Sequence, residues 1–358
     1  MRLTKKLLIF ITVAMLVVAG CVCGPGQNCQ EAQTKDPNRP IRIGLSMDTL
    51  KEERWQHDRD LFVARAKELG AEVEVQAANG DDRVQTQQAE NLLTQGVDVL
   101  VVIPHNSEVA ASIVQSAKRQ CVPVLSYDRL IRNSDVDLYI SFDNVKVGEL
   151  QAKYLLDRAP RGNYVLIGGA PTDNNALLFR KGQMNVLQPA IDRGDITIVA
   201  DQWAKDWQAS ESLKHTENAL TQANNKVTAV VASNDGTAGG VVQALAAQGL
   251  AGRVLVSGQD ADLAGVQRVV EGTQSMTIYK AIKPLATRAS EAAVALARGQ
   301  SIQTNGSVEN GEKQVPSILL EPIVVDRSNV VDSVIKDGYH KLENVYQNVP
   351  RERWPKQP

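Results

Sequence analysis

The sequence predicts an α/β protein made of two doubly wound parallel-sheet lobes. Short strands rich in β-branched apolar residues alternate with amphipathic helices, a pattern typical of parallel sheets covered by helices on both faces. The alternation occurs in two series, one before and one after Tyr139. With 358 residues, 43% of them hydrophobic, the chain is long enough for two lobes of ordinary size.

The first series begins with an apolar strand at 41–47 and a helix at 53–70, which ends at Gly70. It continues with a strand at 71–76, a helix at 84–96, an apolar strand at 97–103, a further helix and a strand at 122–126. Each strand is short and each helix has room to cross back over the sheet. These elements form one lobe.

The second series has strands at 164–168, 197–200, 229–232, 254–258 and 277–279, with amphipathic stretches between them. The two series share no close sequence repeat, so we expect the lobes to share topology only. In open parallel sheets, ligands bind beyond the carboxyl ends of the strands. The residues directly after each strand are therefore the candidates for a functional site.

The first twenty residues predict export. A positively charged start, Met1–Lys6, precedes an uncharged, mostly apolar run at 7–20. That run is too short for a membrane span and typical of a signal-peptide core. The sequence Val18-Ala-Gly-Cys21 resembles a bacterial lipobox, in which the cysteine becomes the lipidated first residue; an ordinary secretory signal is the alternative. A diacylated Cys21 would hold the protein at the extracytoplasmic membrane surface, in the periplasm or on the cell surface.

Composition and motifs argue against several classes of function. A formal charge of −2 and a pI near 6.2 do not suit a nucleic-acid-binding surface. The sequence has no Walker loop, Gly-rich dinucleotide motif, serine elbow or EF-hand loop. Its four histidines show no metal-ligand spacing. We therefore expect no catalytic residue, metal or cofactor, with a sugar-modifying enzyme of unrecognised type as the alternative.

Hydrogen-bonding side chains and tryptophans follow the predicted strands. Carboxylates and amides accept hydroxyl protons, cations and amide N–H groups donate to hydroxyl oxygens, and indoles pack on the C–H faces of a sugar ring. One such residue alone is more often a helix N-cap, and we assign Asp235 and Asp262 to that role. The recurrence at seven strand ends instead suits a monosaccharide site: Asp48, Arg54, Trp55, Asp128, Arg129, Asp173, Asn174, Asn175, Asp201, Trp203, Asp206, Trp207, Asn234, Gln259, Asp260 and Lys280.

Several of these segments resemble the periplasmic D-xylose-binding proteins. The resemblance runs from Ile41 to Tyr339 and is more distant to ribose- and galactose-binding proteins and to the sensor domains of sugar-responsive repressors. It is carried by long segments, namely Leu50–Gln56, Ser126–Arg129, Tyr139–Asn144, Gly148–Lys153, Asp173–Ala176, Ala232–Gly240 and Ser257–Asp262.

The resemblance implies the type I periplasmic-binding-protein fold, in which three chain crossings join two lobes that close over the sugar. It places the crossings near 141–143, 280–282 and 315–319. Together with the leader, it divides the chain into a signal peptide at 1–20, a tether at 21–40, a first lobe of 41–142 and 281–316, a second lobe of 143–280 and 317–345, and a tail at 346–358.

Carried over onto this sequence, the ligand residues of the family fall on ten positions. These are Arg54, Trp55, Asp128 and Arg129 in the first lobe, Asp173, Asn175, Trp207, Asn234 and Asp260 in the second, and Lys280 at a crossing. The implied function is capture of a monosaccharide, D-xylose, by a monomeric lipoprotein that delivers it to the permease of an ABC importer. A sensor serving a chemoreceptor or histidine kinase, and a receptor for ribose, arabinose, glucose or galactose, are the alternatives.

Overall fold

The computed structural model describes residues 39–355, in which strands and helices alternate as the sequence predicts. The strands are β1 (Ile41–Met47), β2 (Ala71–Ala77), β3 (Val99–Val102), β4 (Val124–Tyr127), β5 (Leu138–Phe142), β6 (Gly162–Gly168), β7 (Ile196–Trp203), β8 (Ala229–Ala232), β9 (Leu255–Val256), β10 (Thr277–Tyr279), β11 (Gly306–Glu309), β12 (Gln314–Leu320) and β13 (Ile323–Val325). The helices are α1 (Glu53–Glu68), α2 (Asp82–Thr94), α3 (Ala111–Arg119), α4 (Asn144–Arg158), α5 (Asn174–Asp192), α6 (Ala209–Gln222), α7 (Asp235–Ala247), α8 (Leu263–Glu271), α9 (Ile282–Ala297) and α10 (Leu342–Val345).

The first lobe is a seven-stranded sheet in the order β11-β12-β5-β4-β3-β1-β2. Its strands are parallel except for β11, which runs antiparallel to β12. Phe62 of α1 and Leu285 of α9 pack on one face of the sheet. Leu92 of α2 and Ile113 of α3 pack on the other face. Helices on both faces explain why β3 is apolar at every position, since alternate side chains point into different cores.

The second lobe is built on a four-stranded parallel sheet in the order β7-β6-β8-β9, beside an antiparallel pair of β10 and β13. Along β6, Val165 faces the core formed with α6 and α7. Its neighbour Tyr164 faces the core formed with α4 and α5. The prediction of two doubly wound lobes is therefore confirmed, with antiparallel strands added at the edges.

Three chain crossings connect the lobes. The first follows β5 at Asp143, whose N–H donates to the carbonyl of Leu320 at 3.0 Å. The second lies between β10 and α9, and the third between β12 and β13. Leu320 pairs with Phe142 in the first sheet, so the predicted boundary at 316 falls inside a strand. The third crossing comes after the range expected for it.

The C-terminal segment packs on the second lobe. Tyr346 and Val349 are buried in a cluster with Tyr279. The indole N–H of Trp354 donates to the carbonyl of Val349 at 2.8 Å. The described part of the predicted tail is thus a folded extension of that lobe.

The signal peptide, Cys21 and the tether up to residue 38 lie outside the described residues. Within 39–355, no helix combines the length and apolar character needed to cross a membrane.

Helices α4 and α5 cross with their backbones in close contact at two glycines. A Cβ on Gly148 would lie 2.0 Å from the carbonyl oxygen of Phe179, and one on Gly182 would lie 1.9 Å from that of Val145. Both contacts are with backbone atoms, so a side chain could be accommodated only if the helices moved apart.

We predict that Gly148→Ala lowers the free energy of unfolding by about 1–3 kcal/mol, because the added methyl group overpacks this helix crossing. Urea denaturation followed by circular dichroism measures the change. Gly306→Ala is the matched control, since the nearest atom to its Cβ would be 3.9 Å away. Equal urea midpoints for the two variants would contradict the prediction.

Candidate functional site

All ten predicted site residues line one cavity between the lobes. Three further residues, Glu52, Phe179 and Gln259, complete its wall. The free space among the side chains is about 20 Å³, room for roughly one water molecule. The cavity is small because the lining groups bond to one another across it. A larger cavity of about 660 Å³ adjoins it and shares Glu52, Arg129 and Trp207.

The cavity lies where the strands of both sheets end. Asp128 follows β4, and Asp173 caps the helix that follows β6 by accepting the N–H of Asn175. Asp260 follows β9 and Lys280 follows β10. Asp128 has a φ of 58°, and its carbonyl accepts the hydroxyls of neighbouring β5 side chains. Those bonds hold a backbone conformation that a non-glycine residue disfavours.

Arg54 is the buried cation at the centre of the site. Its Nη2 donates to Asp128 at 2.9 Å, its Nη1 to Asp260 at 3.1 Å and its Nε to Asp58 at 3.2 Å. Asp58 also accepts the hydroxyl of Tyr127. Burial raises the pKa of Asp58 to about 6 despite the guanidinium beside it. Burial would lower the pKa of Arg54, but the carboxylates, Asp128 first, hold it well above its usual value.

Arg129 forms a second buried bridge between the lobes. Its Nη1 donates to Asp48 at 2.6 Å, and its Nε lies 2.8 Å from Asp173. Trp207 donates its indole N–H to the same Asp173 carboxylate at 3.2 Å. Burial raises the pKa of Asp173 above its usual value, although Arg129 opposes this. Burial also acts to raise the pKa of Asp48, but His105 and Arg129 hold it below its usual value.

Lys280 and Asn175 complete the surroundings of Asp128. The Lys280 ammonium lies 3.6 Å from Asp128 and 3.4 Å from Asp260. Asn175 donates its side-chain N–H to Asp128 at 3.1 Å. Burial acts to raise the pKa of Asp128, but the charges of Arg54 and Lys280 hold it below its usual value. Asp128 is therefore ionised at neutral pH and can only accept hydrogen bonds.

Each lobe contributes an aromatic wall. Trp55 comes from the first lobe, with the Arg54 guanidinium carbon 4.2 Å from its ring centroid. Trp207 comes from the second lobe and makes an edge contact with Phe179, with centroids 6.3 Å apart. The sequence does not identify Phe179 as a cavity residue, because it is one of many apolar positions on an amphipathic helix.

Two acceptors in the cavity wall are buried without a hydrogen-bond partner among the described residues: Glu52 Oε2 and Gln259 Oε1. Gln259 is among the hydrogen-bonding residues that follow the predicted strands. Glu52 precedes α1 within a charged run, and no feature of the sequence distinguishes it from its neighbours. Buried acceptors of this kind are suited to receive hydroxyl protons from a ligand. Within residues 39–355, no group of three His, Cys, Asp or Glu side chains is placed to hold a metal ion.

The N-cap assignment of Asp235 is wrong, whereas Asp262 does occupy the N-cap position of α8. The N-cap of α7 is Asn234, whose oxygen accepts the N–H of Thr237 at 2.8 Å. Asp235 is instead a buried acceptor, bonded to Gln274 at 2.7 Å and Thr277 at 2.9 Å. Asp262 is the N-cap residue of α8, as predicted, but its side chain makes no capping bond. The oxygen of Asn234 is thus engaged in the cap, while its side chain still lines the cavity.

We predict that Arg54→Met lowers the free energy of unfolding by about 3–5 kcal/mol at pH 8, because it leaves buried carboxylates uncompensated. The pKa of Asp58 is already near 6 and must rise further without the guanidinium. A carboxyl whose pKa is raised on folding gains stability as the pH falls through its folded pKa. The deficit relative to the parent should therefore be smaller at pH 5 than at pH 8.

Urea unfolding at the two pH values measures this deficit. Arg65→Met is the matched control on the same helix, since Arg65 pairs with Glu68 and Glu291 at the surface and exposed pairs contribute little. The prediction fails if the Arg54 variant loses no more stability than the control, or if its deficit grows at low pH.

Comparison with known proteins identifies the family. Residues 43–301 match the periplasmic binding protein domain. The chain is 55% identical to the D-xylose-binding periplasmic protein of Haemophilus influenzae over 309 residues, which is 86% of this chain and 93% of that protein. It is 56% identical to the D-xylose-binding periplasmic protein of Escherichia coli over 303 residues, covering 85% and 92% of the two chains.

Solved structures agree with this likeness. A carbohydrate-transporter solute-binding protein from Chloroflexus aurantiacus, in complex with D-glucose, superposes with a TM-score of 0.81 at 33% identity, covering 86% of this chain and 98% of its own. A solute-binding protein of an ABC transporter from Clostridium phytofermentans, with bound β-D-glucose, gives 0.79 at 31% identity, covering 85% and 99%. The two curated relatives are periplasmic sugar-binding proteins, and the two solved structures are solute-binding proteins of transporters. The chain is therefore a binding protein that acts outside the cytoplasm, not an enzyme. The chain belongs to the periplasmic binding proteins and, within them, to the D-xylose-binding family.

Proposed function

We propose that this protein captures D-xylose outside the cytoplasm and presents it to the permease of an ABC importer. The observation that carries the proposal is the cavity between the lobes, where buried carboxylates and cations from both lobes meet two indoles. That set of groups provides acceptors and donors for hydroxyls and flat apolar surfaces for a sugar ring. The named relatives at 55–56% identity bind the same sugar.

Ligand capture would exchange ion pairs for hydroxyl contacts. Arg54 bridges Asp128 of the first lobe and Asp260 of the second. A sugar hydroxyl placed between a carboxylate and the guanidinium would donate to one and accept from the other, so neither charge is left unpaired. Since a sugar in this position contacts both lobes at once, it favours the closed arrangement over an open one.

The two indoles provide a basis for selectivity. Trp55 and Trp207 come from different lobes, so a sugar ring between them must present C–H groups on both faces. β-D-Xylopyranose does so because all its hydroxyls are equatorial, whereas an axial hydroxyl would be buried against an indole at a cost of roughly 1–3 kcal/mol. Glucose shares the equatorial pattern and is bound by two structural relatives, which makes it the second candidate.

Isothermal titration calorimetry with xylose, ribose, arabinose, glucose and galactose tests the proposal. We expect the parent to bind D-xylose most tightly. Asp260→Asn should weaken xylose binding by about 10-fold, because a charged acceptor becomes a neutral one. Asp60→Asn is the control, since Asp60 is exposed and paired with Arg59. Preferred binding of another sugar would replace xylose as the ligand, and binding of none would refute the function.

We also propose that the protein is a monomer held at the membrane by a lipid on Cys21. The uncharged run ending in Val18-Ala-Gly-Cys21 supports the anchor, and two acyl chains are enough for stable attachment without a membrane-spanning helix. A polar tether would leave the lobes free to open, close and reach the permease.

We predict that Cys21→Ala releases the protein from the membrane fraction without changing its affinity for xylose, because the lipid is attached far from the cavity in the chain. Cell fractionation and calorimetry measure the two effects. Cys23→Ala, two residues further along, should stay membrane-bound. Mass spectrometry that finds an unmodified N-terminus, or one that begins elsewhere than at Cys21, would rule out the anchor.

A further inference from the structure

The loop that carries Asp260 has a strained backbone. It runs from Gly258 to Asp262, between β9 and α8. Asp260 has a φ of 90° and Ala261 a φ of 52°, so two successive non-glycine residues lie in the left-handed region. Side chains with a Cβ disfavour that region. The surrounding structure must therefore hold the loop in this conformation.

Three bonds from the second lobe hold the backbone N–H groups of the loop. Asp260 donates to the carbonyl of Ile278 at 2.8 Å. Ala261 donates to the hydroxyl of Thr277 at 3.2 Å, and Asp262 donates to the carboxylate of Asp235 at 3.0 Å. These bonds hold the backbone of the loop against β10. They leave the carbonyl of Ala261, which belongs to the peptide joining Ala261 to Asp262, to find a partner elsewhere.

That partner is His340, which comes from the C-terminal segment. Its Nε2 lies 2.7 Å from the carbonyl oxygen of Ala261. A carbonyl oxygen only accepts, so Nε2 carries the proton and donates. Ala261 is fully buried and His340 nearly so, so losing the bond would leave a buried carbonyl unsatisfied. Burial lowers the pKa of His340, which favours the neutral ring with a single N–H.

The position of His340 is itself well determined. Its backbone N–H and that of Tyr339 both bond to the carbonyl of Val334, at 3.2 and 3.0 Å. The Tyr339 ring lies 5.3 Å from Tyr279, directly before Lys280, and 5.5 Å from His57 of the first lobe. The C-terminal segment therefore packs against residues next to the site, but it does not line the cavity.

We propose that His340 is a positioning residue for sugar binding: its bond to the Ala261 carbonyl holds the left-handed backbone of Asp260 and Ala261 in place and thereby positions the Asp260 carboxylate beside Arg54 and Lys280. His340 does not touch the ligand. The proposal rests on the proposed function, since the ligand whose affinity it affects is the sugar in that cavity.

Calorimetry with D-xylose on the full-length protein tests this role. His340→Phe keeps a ring of similar size but removes the donor, and should weaken xylose binding by about 3- to 10-fold. His340→Gln can still donate an amide N–H and should recover most of the affinity. His215→Phe is the control, since His215 lies on α6 beside Glu211 and away from the cavity. If the Phe variant does not fold, His340→Asn, which is too short to reach Ala261, replaces it.

A double-mutant cycle with Asp260→Asn separates positioning from a general structural effect. If His340 acts through Asp260, His340→Phe should cost less than 2-fold in the Asp260→Asn background, because the carboxylate it aims is gone. Equal losses in both backgrounds, or no loss in the parent background, overturn the inference and leave the sugar-binding function intact. A parent protein that binds none of the five sugars overturns both.

Discussion

The arrangement of the whole site depends on one buried guanidinium. Arg54 lies at the start of α1 and pairs with three carboxylates, of which Asp260 belongs to the other lobe. The Asp58 contact is made within the same helix and is backed by the Tyr127 hydroxyl. That internal contact fixes the planar fork, so the two outer nitrogens point into the cavity whatever they bind there. A ligand can replace the contacts with Asp128 and Asp260 while Arg54 keeps Asp58.

Ion pairing also explains how several charged side chains can be buried together in the cavity wall. Three of the four carboxylates in the cavity wall, Asp128, Asp173 and Asp260, face three cations, Arg54, Arg129 and Lys280. Each of these six charges has an opposite charge within 3.6 Å. Buried ion pairs of this kind add little to stability in themselves, but they hold polar groups in fixed orientations. The donors and acceptors of the cavity wall are therefore held in fixed orientations by their neighbours, and such order lowers the entropic cost of binding.

Much of this could be read from the sequence, because strand ends in a parallel sheet converge. The position of β8 was predicted to the residue, and the ten site residues do meet in one cavity. Other features had no local signal. The predicted strand at 254–258 pairs only at Leu255–Val256, since the chain turns there to carry Asp260. The range 315–319, expected to hold the third crossing, lies instead within β12, which pairs with a strand on each side. Pro316 in that range disfavours a strand and weakens the local signal. The contact of His340 with Ala261 joins distant segments that no spacing relates.

The late chain crossings have a consequence for biogenesis. The first sheet needs β12 alongside β5, and the second lobe needs β13 alongside β10. A growing chain that has reached only Lys280 has all four strands of the second sheet but lacks β11 and β12 of the first sheet and the β13 partner of β10. Non-local pairing of this kind slows folding, because long loops must close before their contacts contribute. For a protein that acts beyond the membrane, the delay lengthens the time in which the unfolded chain can be exported before it becomes compact.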